Sequence, residues 1–169
     1  EGLSKFISEE RVEILGEMIA QILFATEAAA KNMTVEKLLE TEVTKRMTAP
    51  TATEIQAVYD ANKESIGTRT LDEVRPQIVQ FLEREAYPKA AFKYVGELKA
   101  KHKVVMGKDV NATALLPTDV LATVVAKTIT AKQFEEKAGP TLYDVRMSVY
   151  YCFNETLATE IYTELIGLE

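Results

Sequence analysis

One histidine, His102, and one cysteine, Cys152, are the only side chains of this 169-residue chain that combine near-neutral titration or thiolate chemistry with metal-ligand character. A general base needs an orienting partner and a pocket. The neighbours of His102 in Lys99-Ala100-Lys101-His102-Lys103 are cations, which fits a solvated helix end where positive charge suits the helix dipole. A zinc site or a Cys–His nucleophile pair has almost no material here, and a lone cysteine excludes an internal disulfide and any Cys-x-x-Cys pair. Cys152, beside Tyr151 and Phe153, reads as a small apolar helix residue. Carboxylates are plentiful, but no spacing singles out an acid–base pair, and the seven glycines are too scattered for a phosphate loop. Asn32-Met33-Thr34, Asn111-Ala112-Thr113 and Asn154-Glu155-Thr156 fit the glycosylation pattern, which is short enough to recur by chance. The expectation is a protein that is not an enzyme, with no catalytic residue, no metal and no cofactor.

Aromatic and methionine side chains are the remaining binding chemistry. Tyr87, Phe92, Tyr94, Tyr143, Met147, Tyr150 and Tyr151, with Phe153 nearby, are candidates to line an apolar cleft, because adaptable Met and amphipathic Tyr suit loosely specific peptide contacts. The competing reading places most of them in the core. Tyr150 and Tyr151 point about 100° apart on a helix, so at least one should leave the core. Arg84, Lys89, Lys93, Lys99, Lys101 and Lys103 form a basic patch that is either a solvated face or a contact for an acidic client.

The elements that must hold these residues are nearly all helical. Ser8 precedes a stripe of Val12, Leu15, Ile19, Ile22, Leu23 and Thr26, predicting a helix from about Glu9 to Lys31 with Ser8 as its cap. Thr34 caps a second helix carrying Val35, Leu38, Leu39 and Val43 to about Arg46. Thr51 and Glu54 have capping-box spacing ahead of a third, with Ile55, Val58 and Tyr59 on one side, closed by Asn62-Lys63 and Ile66-Gly67. Thr70 and Glu73 repeat that spacing and open a long helix to about Lys101, in which Pro76 and Pro88 each remove a backbone donor and predict a kink or split. Lys103–Gly107 and Leu121–Ala126 read as two short strands that pair, separated by a loop over Asp109–Asp119. Thr130 and Gln133 cap a short helix with Phe134, Gly139-Pro140 should break it, and a last helix carries Leu142, Val145, Val149, Phe153, Leu157, Ile161 and Leu165.

The fold class is therefore mainly α, an irregular helical bundle with one short two-stranded β pairing. Its organisation reads as a helical core over 1–107, a loop and strand over 108–127, and a helical segment over 128–169 that packs on the core or is exchanged between chains. With 47% hydrophobic and 27% charged residues the composition is that of an ordinary globular domain. A net charge of −6 argues against a duplex nucleic-acid partner, which requires a basic footprint. No apolar run approaches the roughly 18 residues of a membrane span, and the basic-then-apolar layout of a signal peptide is lacking.

The two ends repeat one another. Residues 13–27 align with 155–169, with identities at Glu13/Glu155, Leu15/Leu157, Ile19/Ile161, Leu23/Leu165 and Glu27/Glu169, although any two amphipathic helices share an apolar period. Around these ends lie further motifs: Ile129-Thr130-Ala131-x-x-Phe134-Glu135, the run Glu27–Leu39, Pro50-Thr51-x-x-Glu54-Ile55-x-x-x-Tyr59-x-x-Asn62-Lys63, and Leu71-Asp72-Glu73-Val74-Arg75-Pro76-Gln77-Ile78-x-x-Phe81-Leu82. Together they resemble the helical chaperone domain of the SurA and PrsA type. In isomerases of that family a parvulin module stands between the segments matched here at Asn62-Lys63 and Leu71, whereas this chain has only Glu64–Thr70 between them, so the isomerase is missing. The family's opening segment also stands at this chain's C-terminus, as it would in a piece of a tandem array. The resemblance implies a non-enzymatic domain that binds unfolded or extended polypeptide clients, in a periplasmic or other extracytoplasmic setting, with a homodimer formed by exchange of the C-terminal segment as a further possibility. The alternative is a structural or oligomerisation module, one unit of an array or an appendage to an enzyme domain elsewhere.

Overall fold

The computed structural model describes residues 2–166, apart from the side chains of Phe153 and residues 158–166. The end of the repeat at 167–169, and the inward positions expected for Phe153, Ile161 and Leu165, lie outside the described residues. The architecture is mainly α with a small antiparallel sheet. Its helices are α1 (Gly2–Ala30), α2 (Val35–Thr44), α3 (Ala52–Ala61), α4 (Lys63–Ile66), α5 (Leu71–Lys101) and α6 (Ala131–Ile166). Strands β1 (Val105–Met106), β2 (Val120–Val124) and β3 (Lys127–Thr130) form one sheet in the order β1-β2-β3. Among the described residues, no helix is long and apolar enough to cross a membrane. The chain divides into two compact units, residues 22–102 and residues 1–21 with 103–169.

In the unit of residues 22–102, α2 and α3 pack on α5. Ile55 of α3 is buried with Val74 and Ile78 of α5, and Val58, Tyr59, Ile66, Leu71, Val79 and Leu82 close around them. Three helix starts behave as their sequences dictate. Thr34 Oγ1 accepts the Lys37 N–H at 3.3 Å. Thr51 and Glu54 exchange backbone-to-side-chain bonds at 2.8 and 3.2 Å, and the Thr70 N–H and hydroxyl donate to the Glu73 carboxylate at 2.6 and 2.9 Å. α5 runs through Pro76 and Pro88 as one helix, so the prolines do not split it. Val74, Ile78, Ala90, Tyr94 and Leu98 are buried on both sides of them, and this shared packing outweighs two missing backbone bonds.

The second unit holds the sheet. The expected pairing of the first two strands is present, with Val105 opposite Thr123 and Met106 opposite Ala122. Gly107 ends β1 where a Cβ would stand 2.1 Å from the Val120 carbonyl oxygen, so only glycine fits that approach. The pairing is three-stranded, however, because β2 turns at Val125-Ala126 and β3 returns along it, Val124 facing Lys127. Val125 takes φ +59° without a Gly or Asn to signal the turn, which is why the sequence reads as one strand there.

Two further expectations are corrected. α1 begins at Gly2, and Ser8 does not cap it; its carbonyl instead accepts the Asn111 side-chain amide at 3.1 Å. Gly139-Pro140 does not break the last helix, since α6 is continuous from Ala131. Phe134, Ala138 and Leu142, spaced four apart, are buried before and after the proline. The carbonyl that Pro140 leaves without a helical donor belongs to exposed Glu136, where water can satisfy it.

Candidate functional site

At the connection between α2 and α3, aromatic and basic residues named by the sequence meet backbone groups without hydrogen-bond partners among the described residues. Its two ends are fixed. At the first, the Arg46 guanidinium donates to Glu97 Oε2 on α5 at 2.5 and 3.0 Å and to the Glu42 carbonyl and carboxylate at 2.6 and 3.0 Å. It also lies 4.3 Å from the centroid of the Tyr94 ring, a cation–π contact. At the second end the Thr51–Glu54 capping box starts α3. Between them Pro50 disfavours helix at Ala49. The N–H groups of Thr48 and Ala49 have no hydrogen-bond partner among the described residues, and both residues are exposed.

This connection is the wall between two grooves on α5. The first, about 410 Å³, lies between residues 46–51 with Glu54 and one face of α5, Leu82, Glu85, Ala86, Lys89, Ala90 and Lys93. The second, about 740 Å³, runs along the neighbouring face, with Gln80, Glu83, Arg84, Tyr87 and Pro88 opposite Thr44, Met47, Thr48 and Ala49. The α5 positions recur at three- and four-residue steps, as one helical face requires. Pro88 has no N–H, so the Arg84 carbonyl one turn earlier has no intrahelical donor, and both residues line the second groove. These volumes fall within the range of ordinary ligand clefts.

The charges behind the wall are tightly paired. Lys31 holds Glu42 at 2.8 Å, and with Arg46 it pulls the Glu42 carboxyl down to about 2. Arg46 likewise lowers Glu97 and is itself raised, chiefly by Glu97. Buried Glu27 accepts from Lys101 at 2.6 Å and faces His102 at 3.4 Å; Lys101 chiefly holds its carboxyl below the usual range, against the opposing effect of burial. His102 is thus a partly buried C-cap partner of a carboxylate, not the solvated helix end its cationic neighbours suggest. The basic patch is not uniform either. Lys101 is paired inward, whereas Arg84, Lys89 and Lys93 line the grooves and have no ion-pair partner among the described residues.

The aromatic candidates do not form a single surface. Tyr87 lines the second groove. Tyr94 is only 2% exposed and stacks on Phe24 with ring centroids 6.0 Å apart, so it belongs to the core and not to a peptide surface. Burial raises its phenol, whose oxygen has no hydrogen-bond partner among the described residues. Phe92 is 81% exposed. Tyr143, Met147, Tyr150 and Tyr151 share one face of α6 in the other unit; the three tyrosines are exposed and Met147 is half-buried. The sequence pointed to Pro50 only as part of the motif before α3, and gave no sign of Met47, Thr48 and Ala49 as site residues. Among the described residues no group of acidic, histidine and cysteine side chains is arranged to hold a metal. No protein-family model matches the chain, and no curated protein or solved structure matches it.

Proposed function

We propose that the chain is a chaperone-like domain of the SurA and PrsA type, non-enzymatic, that captures unfolded or extended polypeptide in the grooves beside Met47–Thr51. The observation that carries this reading is the pairing of two apolar-floored grooves with a wall whose backbone N–H groups are free. A passing chain can lay apolar side chains on Leu82, Ala86, Tyr87 and Pro88 and offer its carbonyls to Thr48 and Ala49, the combination of backbone affinity and side-chain pockets on which extended-peptide recognition rests. Capture of this kind is reversible, because the contacts are shallow and indifferent to exact sequence. An extracytoplasmic setting goes with the family resemblance.

The test is binding of a reduced, carboxymethylated protein that cannot refold, together with light scattering of a heat-aggregating client. Micromolar binding with slowed scattering is expected. Absence of both overturns the reading.

A second reading, an oligomerisation module working through the C-terminal segment, is favoured by one observation. Leu15 of α1 is 3% exposed, while its repeat counterpart Leu157 is 43% exposed on the same helix that carries Tyr143, Tyr150 and Tyr151 in the open. It predicts a concentration-dependent dimer that Tyr150→Ser with Leu157→Ser dissolves.

A further inference from the structure

We infer that the first groove selects extended segments that carry acidic residues two positions apart next to an apolar stretch, and that Lys89 and Lys93 read them; this rests on the polypeptide-binding reading above. Along α5 the groove presents two parallel rows, apolar Leu82, Ala86 and Ala90, and charged Glu85, Lys89 and Lys93. Lys89 and Lys93 stand one turn apart as a like-charge pair, a mildly unfavourable arrangement on a helix. Neither has an ion-pair partner among the described residues. Lys93 acts at a distance on Glu97, which is already engaged by Arg46. The groove's other acids form no ion pair with them: Glu54 Oε2 accepts from the Thr51 N–H and hydroxyl, and Glu85 makes no ion pair among the described residues. Two lysines without a direct ion pair thus stand at one end of the groove on a chain whose net charge is −6.

The spacing selects the form of the occupant. Four residues of helix advance about 6 Å, and two residues of extended chain advance about 6.6 Å. Acidic side chains at alternate positions of an extended segment therefore meet Lys89 and Lys93 in register. Within the same length, the apolar residues that precede them fall over Leu82 and Ala86. The charge order also gives the segment a direction, with its acidic end toward Lys93 and a neutral or basic end at Glu85.

Fluorescence anisotropy with three labelled peptides tests this, each having an alternating Leu-Ser stretch followed by two Glu, two Gln or two Lys residues spaced two apart. The expected order is Glu over Gln by about three- to tenfold, with Lys weakest, and the Glu advantage fading at high salt. In the Lys89→Glu, Lys93→Glu protein the order should invert. The Lys89→Gln, Lys93→Gln protein should bind the Glu and Gln peptides equally, and thermal melting establishes that each variant is folded. Equal binding of the Glu and Gln peptides by the unaltered protein, or a Glu advantage that survives the reversal, overturns the charge selection while leaving polypeptide binding intact. Failure of all three peptides, with failure of the unfolded protein, overturns the binding reading itself.

Discussion

Two surfaces display the aromatic candidates, the α5 grooves and the exposed face of α6, and they differ in what stands beside them. Tyr143, Tyr150 and Tyr151 of α6 are exposed along one helical face. Tyr87 instead sits opposite a non-helical wall with free backbone donors. The wall exists because Arg46 fixes one end and a capping box the other. The proposed recognition of extended chains rests on one irregular connection fixed at both ends, more than on the number of aromatic side chains.

The same comparison holds for the two arginines that brace the units. Arg46 is held by two carboxylates. Arg11 lies 4.8 Å from the Phe134 ring centroid and donates to the Val110 carbonyl at 2.8 and 3.2 Å and to Glu135 at 2.6 Å. Both braces combine a peptide carbonyl, an aromatic face and a carboxylate; they differ in that Arg46 holds two carboxylates and Arg11 one.

The largest expected effect comes from removing the brace that holds two carboxylates. Arg46→Ala should cost roughly 1–3 kcal/mol of stability, since it strips charge-assisted bonds from Glu42 and Glu97, and should also abolish polypeptide binding; chemical denaturation and anisotropy check both. Next, Tyr87→Ala should weaken peptide binding by about three- to tenfold, whereas Tyr150→Ala should leave it unchanged. The reverse pattern would transfer the site to α6.

Acid should separate the two units. Glu27, Glu42 and Glu97 have folded-state values below their ordinary 4.5, Glu42 at about 2. Their stabilisation is therefore complete above about pH 4.5 and is lost as pH falls toward 2. In the sheet unit Asp119, lowered chiefly by Lys108 and then by the Leu116 N–H, is the corresponding group. Amide exchange in α2 and α5 should accelerate in this window before that in β2 and β3. The smallest effect is at the turn: Val125→Gly should stabilise the sheet by up to about 1 kcal/mol by relieving a β-branched residue at positive φ, read as a rise in melting temperature.

Much of the fold was legible in the residues. Thr34, Thr51 and Thr70 start helices as short-range chemistry demands, because a cap is satisfied within one turn. The third strand was not legible, since Val125-Ala126 carries no turn signal and the hairpin is fixed by burial of Leu121, Ala122, Val124 and Ile129. Continuity through Pro140 likewise depends on what Phe134 and Leu142 pack against. For the site, Tyr87 and the basic residues were visible as types. Their partner wall was not, because no local signal marks Thr48 and Ala49, and Arg46 just before them is held by Glu97 across 51 positions of chain. Tyr94 was misread for the same reason: its burial follows from Phe24 and Arg46, both distant in sequence.

Amide chemical-shift mapping during titration with a permanently unfolded polypeptide tests the central claim most directly. The account predicts shifts concentrated at residues 46–51 and 82–93, with Thr48 and Ala49 among the largest. Shifts confined to residues 143–151 of α6, or none at saturating polypeptide, would contradict it.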